Sequence, residues 1–311
     1  MFSFSTEQIV YELNDVKCGG QPGEHPTVLF GTLFYGDQFK NFGEAEKARA
    51  EVLIRKQSDM SDLMGNPGII DIFIDQESVI REHIEFVLDN IDEYSPFAVD
   101  VPEASVRIAT LKYLEEAGLL DRTIYNSLNL GITKEELDTL QNATPKGAIL
   151  LGYNPKDFSA DGRVEIIESG GGMLDRGIMA MADEAGIEVK LLDTAAVPFG
   201  HNAAETIRAI PVMKNKWGMP VGCSFHNTVE SWQWLQGYRE QRKEKDAYRI
   251  CDIGSNGLVV SFGGSFVLYG PIENAPLVFP YVAMVDKIMS EGAEDYFGVL
   301  PAKGHPRLKL Q

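Results

Sequence analysis

The sequence predicts a closed (β/α)8 TIM barrel with an N-terminal hairpin across its bottom, and three observations carry that expectation. Eight short, nearly continuous apolar runs are spread along the 311 residues, as parallel strands buried on both faces require. Segments with a helical hydrophobic period separate several of them, over a length that suits one barrel of roughly 250 residues plus modest additions. No strand-GxGxxG-helix unit is present, which lowers the competing open, doubly wound sheet.

Taken in order, residues 1–26 stand outside the strand count. QIVYEL and DVKC flank Asn14-Asp15, a turn dipeptide, so this extension is expected to fold as the hairpin. Residues 27–311 then form the barrel, and the chain is one domain overall. TVLFGTLFY (Thr27 to Tyr35), GIIDIFI (Gly68 to Ile74) and PFAVDV (Pro96 to Val101) read as the first three strands. TIYNSL (Thr123 to Leu128), KGAILLGY (Lys146 to Tyr153), VKLLDTA (Val189 to Ala195), PVGCSF (Pro220 to Phe225) and SFVLYG (Ser265 to Gly270) supply the other five.

Between them, Ile80, Ile84, Val87 and Ile91 recur at helical spacing and give one apolar stripe. Leu174, Ile178, Met181 and Ala185 repeat it, as do Val278, Val282, Val285 and Met289. Thr133 and Glu136 have capping-box spacing, while Gly118 and Gly186 stand where helices should stop in a left-handed residue.

Composition narrows the function classes. A formal net charge of -18 argues against a nucleic acid or an anionic membrane surface, both of which need basic footprints. No apolar run approaches the ~20 residues of a membrane span. MFSFSTEQIV lacks the basic and apolar regions of a signal peptide, and the three cysteines, Cys18, Cys223 and Cys251, suit a reducing cytosol. A cytoplasmic protein is expected.

Barrel active sites lie at the C-terminal ends of the strands. There the sequence places Tyr35 on strand one, Asp100 on three, Asn126 on four, Tyr153 and Asn154 on five. Asp193 and Thr194 end strand six, and His226 and Asn227 end strand seven. No Lys or Arg accompanies them. Carboxylates accept paired hydrogen bonds, and carboxamides both donate and accept, so the set matches a flat heterocycle with adjacent N–H and carbonyl groups, such as a pterin. A phosphate or carboxylate substrate would call for Arg, Lys or a helix N-terminus instead.

Plainer readings stand beside these. A lone Asp at a strand end commonly caps the next helix. Asn227, ahead of a helix carrying Val229, Trp232 and Leu235, is also a candidate N-cap, with Trp232 and Trp234 packing that helix. Asn154-Pro155 is a turn signal, and Glu273-Asn274 in GPIENAP suits a turn as well as a site. Cys223 and His226 would bind zinc only with ligands from elsewhere, and no metal site is expected.

Longer stretches carry more. GGQPGEHPTVLFGTLFY (19 to 35), QSDMSDLMGNP (57 to 67), RIATLKY (107 to 113), DRTIYNSLN (121 to 129), DTAAVPFG (193 to 200), PVGCSFHN (220 to 227), DIGSN (252 to 256) and LYGPIENAPLVFPYVAMVD (268 to 286) together resemble one family. It is the MtrH family of tetrahydromethanopterin S-methyltransferase, with its bacterial relatives, and the likeness runs along nearly the whole chain. The chain is most similar to the bacterial methyltetrahydrofolate:corrinoid methyltransferases of the glycine-betaine type (MtgA-like).

The resemblance implies a barrel of the pterin-binding type, shared with corrinoid-dependent methyltetrahydrofolate methyltransferases and dihydropteroate synthase. It implies methyl transfer between N5 of a tetrahydropterin and the cobalt of a corrinoid. Asp100, Asn126 and Asp193 then clamp the pterin, with Asp193 accepting from N3–H and the 2-amino group, and Asn154 beside them. Asn227 meets N5 and, with Asp193, forms the catalytic pair, while Tyr35, His226 and Asn274 are further candidates. The corrinoid (cobalamin) rides on a partner protein docked at the mouth, because no DxHxxG motif is present. A homodimer is expected from related barrels.

A short Tyr35-to-Ala48 stretch and FGHNAA after Asp193-Thr194 lean towards a stand-alone tetrahydrofolate enzyme of methylamine or glycine betaine demethylation. The alternatives are a methyl-tetrahydromethanopterin:corrinoid methyltransferase component of a methanogen complex and a non-catalytic pterin-binding docking component. Dihydropteroate synthase chemistry would need basic residues that LYGPIEN does not offer.

Overall fold

In a computed structural model, which describes residues 1–39, 41–243 and 245–310, an antiparallel hairpin precedes the barrel. Its strands β1 (Val10–Leu13) and β2 (Val16–Gly19) turn at Asn14 and Asp15, with Asn14 in the left-handed region at φ 54°. Eight parallel strands then close on themselves: β3 (Val28–Leu33), β4 (Gly68–Phe73), β5 (Phe97–Asp100), β6 (Thr123–Leu128), β7 (Gly147–Leu151), β8 (Val189–Asp193), β9 (Val221–Cys223) and β10 (Phe266–Pro271). Strand β10 pairs with both β9 and β3, which completes the barrel. All eight lie within or beside the apolar runs of the sequence, so the TIM barrel and its hairpin stand as expected.

The wrapping helices are α1 (Glu44–Met64), α2 (Ile80–Leu88), α3 (Ala104–Glu116), α4 (Lys134–Asn142), α5 (Ala160–Ser169) and α6 (Ile178–Glu184). They continue with α7 (Ala203–Trp217), α8 (His226–Glu230), α9 (Gln233–Arg242), α10 (Asp246–Ser261), α11 (Ala275–Phe297) and α12 (Pro306–Lys309). Val278, Val282, Val285 and Met289 form the buried stripe of α11, a proline sits in its first turn, and Gly298 ends it at φ 69°. Gly118 and Gly186 are left-handed stops after α3 and α6.

Four local expectations are corrected. Ile91 lies past the end of α2 and Leu174 ahead of α6, and both still pack against the core from the chain outside the helix. Thr133 does cap α4 by accepting from the Glu136 amide at 3.1 Å, but Glu136 does not close the box. Its carboxylate turns inward to meet Arg107 at 2.8 Å and the Tyr125 hydroxyl, since a fully buried guanidinium needs a counter-charge. Finally, Val229, Trp232 and Leu235 do not share a helix: the chain breaks between α8 and α9, and Trp234 stands 61% exposed instead of packing inward.

The barrel interior is layered by the two-residue period of its strands. Phe30, Ile69, Ala98, Ile124, Ile149, Leu191 and Phe266 form one inward apolar layer, and Leu13, Val16 and Cys18 of the hairpin pack under it. The hairpin therefore plugs the bottom. Lys214 ties this end together, its ammonium reaching the Gly20 carbonyl at 3.0 Å and Ser265 Oγ at 2.8 Å. Two residues further along the strands, the inward positions are Thr32, Asp71, Asp100, Asn126, Leu151, Asp193 and Leu268, with Ser224 just past β9 and Gly270 one step higher on β10. That layer forms the mouth.

Candidate functional site

The upper inward layer floors a cavity of about 400 Å³ at the C-terminal ends of the strands. A larger hollow, about 750 Å³, lies at the opposite end beside Asp15, Asn66 and Gly304, where no strand directs a side chain into it from the interior. The mouth is the candidate site because convergent polar groups in a concave pocket, more than its size, define one.

Asp100, Asn126 and Asp193 are brought together in it, as the sequence predicts. Asn227 is also there, though on α8 and not at a strand end; β9 stops at Cys223, and α8 folds across the rim. Asn227 Nδ2 donates to Ser224 Oγ at 2.6 Å, so its side chain is oriented by the strand below and stays exposed to an incoming ligand. Tyr35 stands on the rim two strands away, after β3, with its ring 5.1 Å from that of Phe73. His226 lines the wall, and its ring packs over Gly270, whose φ of 81° and missing Cβ allow the contact.

Two candidates stand apart from the mouth. Asn154 is 2% exposed, accepts the Lys156 and Asp157 amides and donates to the Gly162 carbonyl at 2.9 Å. Those bonds build the turn into α5 and leave it no part of the cavity lining. Asn274 opens α11 and donates to Asp252 at 3.2 Å, in a neighbouring hollow. Cys223 packs in the outer core, so it does not face His226. Among the described residues no cluster of three or more His, Cys, Asp or Glu could hold a metal.

Asp71 is the residue that sequence reasoning missed. Its carboxylate is 1% exposed and faces Asn126 Nδ2, at 3.4 Å from each oxygen, and Thr32 Oγ1 at 3.4 Å. These bonds are long for a buried carboxylate, which leaves acceptor capacity towards the cavity. The available signal was a charged residue inside the run GIIDIFI at the inward parity of Ile69. Ser127, Ser224, Tyr153 and Glu230 also line the cavity.

Burial dominates the electrostatics. It pushes Asp193 up to about 7, against the opposing pull of the Ala195 amide at 2.7 Å and of Arg163. Asp100 rises to about 6 by burial, and Asp71 well above the usual carboxylate range, first by burial and then by the charge of Asp100. His226 is pulled down to about 4 by burial and is neutral at pH 7. The mouth thus holds carboxyl groups ready to exchange protons near neutrality, with no lysine or arginine among the described residues of its lining.

One buried cation stands behind it. Arg163, 1% exposed, donates to the Thr194 carbonyl at 2.5 Å, to the Ala195 carbonyl at 3.3 Å and to Thr206 Oγ1 at 2.9 Å. It fastens the turn after β8, where Ala195 adopts φ 58°, a conformation uncommon for a residue with a side chain. Asp193 keeps its aim because that turn is fixed.

Comparison with known proteins adds to the geometry. Residues 6–300 match the model of the family described as tetrahydromethanopterin S-methyltransferase MtrH subunit. The chain is 44% identical to the H subunit of tetrahydromethanopterin S-methyltransferase from Methanothermobacter thermautotrophicus, with 100% of each chain covered. It is 39% identical to the protein of that name from Methanocaldococcus jannaschii, again over 100% of both. It is 42% identical to the H subunit of the putative methyltransferase mtx from Methanosarcina barkeri, over 98% of each. None of these three is named for tetrahydrofolate or glycine betaine. Among solved structures, the barrel resembles dihydropteroate synthase of Yersinia pestis (TM-score 0.58, 12% identity, 91% of this chain and 100% of the other). It also resembles a truncated 3-deoxy-D-arabino-heptulosonate 7-phosphate synthase of Thermotoga maritima (TM-score 0.56, 10% identity, 96% of both). At those identities the likeness speaks to the fold alone. Among the described residues no helix is long and apolar enough to cross a membrane.

Proposed function

The chain belongs to the tetrahydromethanopterin S-methyltransferase MtrH subunit family, a methyltransferase family, and on that premise we propose that it moves a methyl group between N5 of a tetrahydropterin and a corrinoid held by a partner protein. Tetrahydromethanopterin is placed first among carriers because the full-length relatives are named for it. Tetrahydrofolate, which the sequence favoured, becomes the second carrier to test.

The observation that carries this reading is the polar layer of Asp71, Asp100, Asn126 and Asp193 beneath Asn227. Its chemistry fits a pterin: carboxyl groups face adjacent N–H donors, Asn126 reads donors and acceptors alike, and about 400 Å³ admits a bicyclic ring. Asp193, ionised, accepts from N3–H and the 2-amino group. Asp100 and Asn126 hold a second edge.

A methyl group on an amine nitrogen is hard to displace because the leaving nitrogen takes the bonding pair. Cobalt(I) of the bound corrinoid supplies the nucleophile. Asn227, held by Ser224, donates to N5, directly or through a water, and stabilises the charge that collects there while a proton arrives. The closed barrel floor and the plugged bottom exclude water from below, so the reacting face is the open one, where a corrinoid protein docks. A homodimer is also proposed, and the exposed residues Leu277, Met284 and Ile288 along α11, beside Leu258 and Phe262 of α10, offer a face for it. The free thiols of all three cysteines fit a reducing cytoplasm.

The test is methyl transfer by the purified chain from methylcobalamin to tetrahydromethanopterin and, in parallel, to tetrahydrofolate. Turnover with either carrier supports the enzyme reading and ranks the carriers. Pterin binding without turnover, with corrinoid protein also supplied, would replace it with a docking role.

A further inference from the structure

The mouth has a neighbour. His226, Glu230 and Pro271 line both the mouth cavity and a second hollow of about 1010 Å³, so one wall separates the two. The far side of that hollow comes from α9, α10 and the chain between them, and it bears Arg239, Lys243, Lys245 and Arg249. In a chain of net charge -18, residues 239–249 hold five cations (Arg239, Arg242, Lys243, Lys245, Arg249) against three anions (Glu240, Glu244, Asp246).

The hollow has carboxylates too, Glu230, Glu240, Asp246, Asp252 and Glu273 against its four cations, and Glu273 and Asp252 are engaged with other groups. Glu273 receives Arg49 Nη2 at 3.0 Å and Gln38 Nε2 at 2.7 Å. Asp252 receives Asn274 and lies 3.9 Å from His226 Nδ1. Among the described residues no ion pair ties Arg239 or Arg249 to a carboxylate. Arg239 lies 4.5 Å over the ring of Tyr248, a contact that holds its guanidinium in place.

Direction supplies the remaining argument. On the pterin reading, on which this inference rests, Asn227 of α8 meets N5. C6, the atom bonded to N5, bears the arm of the carrier. The arm therefore leaves the mouth beside α8, and α8 is the wall shared with the second hollow. In both candidate carriers the arm begins with an arylamine and ends in ionised acid groups.

We propose that the hollow between α8, α9 and α10 binds the anionic arm of the pterin carrier, with Arg239 and Arg249 as partners of its terminal acid groups. The mouth then recognises the pterin by hydrogen bonds, and the annex recognises the arm by charge. This division places Arg239 and Arg249 outside the mouth, whose described lining holds no lysine or arginine.

The experiment measures equilibrium binding without corrinoid, for three probes: 6-methyltetrahydropterin, which has no arm, tetrahydrofolate and tetrahydromethanopterin. Arg239→Ala with Arg249→Ala should weaken an arm-bearing carrier by roughly five- to tenfold at low salt, the range of one or two partly exposed ion pairs. The arm-less probe should be unaffected, and Arg239→Lys with Arg249→Lys should keep most of the affinity. Equal losses for all three probes, or no loss for any, would overturn the assignment. So would intact carrier binding combined with impaired transfer from a corrinoid protein, which would give the hollow to the partner. If no probe, the arm-less pterin included, binds the unaltered chain, the pterin reading itself has failed.

Discussion

Asn126 Nδ2 lies 3.4 Å from both carboxylate oxygens of Asp71, spanning them without a close bond to either. The two residues sit on strands separated only by β5, whose Asp100 lines the same cavity. A buried carboxylate with only long internal partners gains more from a ligand that brings N–H groups than one already satisfied would. Asp71→Asn keeps the shape and replaces one of its two acceptor oxygens with a donor. It should weaken tetrahydropterin binding by about tenfold or more, the weight of a hydrogen bond to a charged group. Calorimetric titration would measure it, and an unchanged Kd would take Asp71 out of the site.

The raised carboxyl groups make stability and binding depend on pH in opposite senses. A group whose pKa is higher folded than unfolded stabilises the fold at low pH, and that contribution is lost as pH rises through the folded value. Asp193, pushed up to about 7, therefore favours the fold at pH 5 and opposes it at pH 8. Asp193→Asn should gain melting temperature relative to the unaltered chain between pH 5 and pH 8, by a free-energy difference on the order of a few kcal/mol. Pterin affinity should instead rise with pH across about 7, since the ionised carboxylate is the acceptor. A Tm difference flat in pH would contradict the first expectation.

Asn227 touches the reacting nitrogen in the proposed mechanism and little else that the fold requires. Asn227→Ala should lower kcat by roughly a hundredfold, as the loss of one donor to developing charge does, and change pterin Kd far less. Single-turnover methyl transfer alongside binding titration separates the two. A variant with unaltered turnover would remove Asn227 from the chemistry.

Arg163 acts at one remove, as a positioning residue for Asp193. Arg163→Met would leave the Thr194 carbonyl without its donor, the Ala195 carbonyl with Thr206 Oγ1 alone, and loosen the strained turn at Ala195. The expected cost is about 3–5 kcal/mol in denaturant unfolding, typical of breaking a buried charged network. A role in aiming Asp193 predicts, beyond that cost, a displaced pH midpoint of pterin binding in the folded variant. A purely structural role would leave the midpoint where it was.

The homodimer can be examined through α11. Met284→Asp with Ile288→Asp places charge on residues 50% and 51% exposed in the single chain, so the monomer should fold unchanged. Sedimentation equilibrium should then show a dimer for the unaltered chain and a monomer for the variant. A monomer in both would dismiss the proposed face.

The sequence by itself determined the barrel, the hairpin and three of the polar residues that line the mouth. Runs such as TIYNSL and VKLLDTA are apolar on both faces, which only strands buried on both sides tolerate, and alternation with amphipathic helices leaves few topologies. Asp100, Asn126 and Asp193 were legible because each sits where an apolar run gives out. Asp71 was not, since it lies before the end of its run, and only the closure of the barrel brings it to face Asn126, two strands away. The same dependence on three-dimensional placement moved Asn154 into a turn, Asn274 into the adjoining hollow, and Asn227 from a strand end onto α8. It also turned Glu136 from a cap into the partner of Arg107. A side chain's type is written in the chain, but the direction it faces is set by the pleat of its strand, the stagger between strands and the charges already buried nearby. Those are properties of the closed barrel, decided when the strands meet.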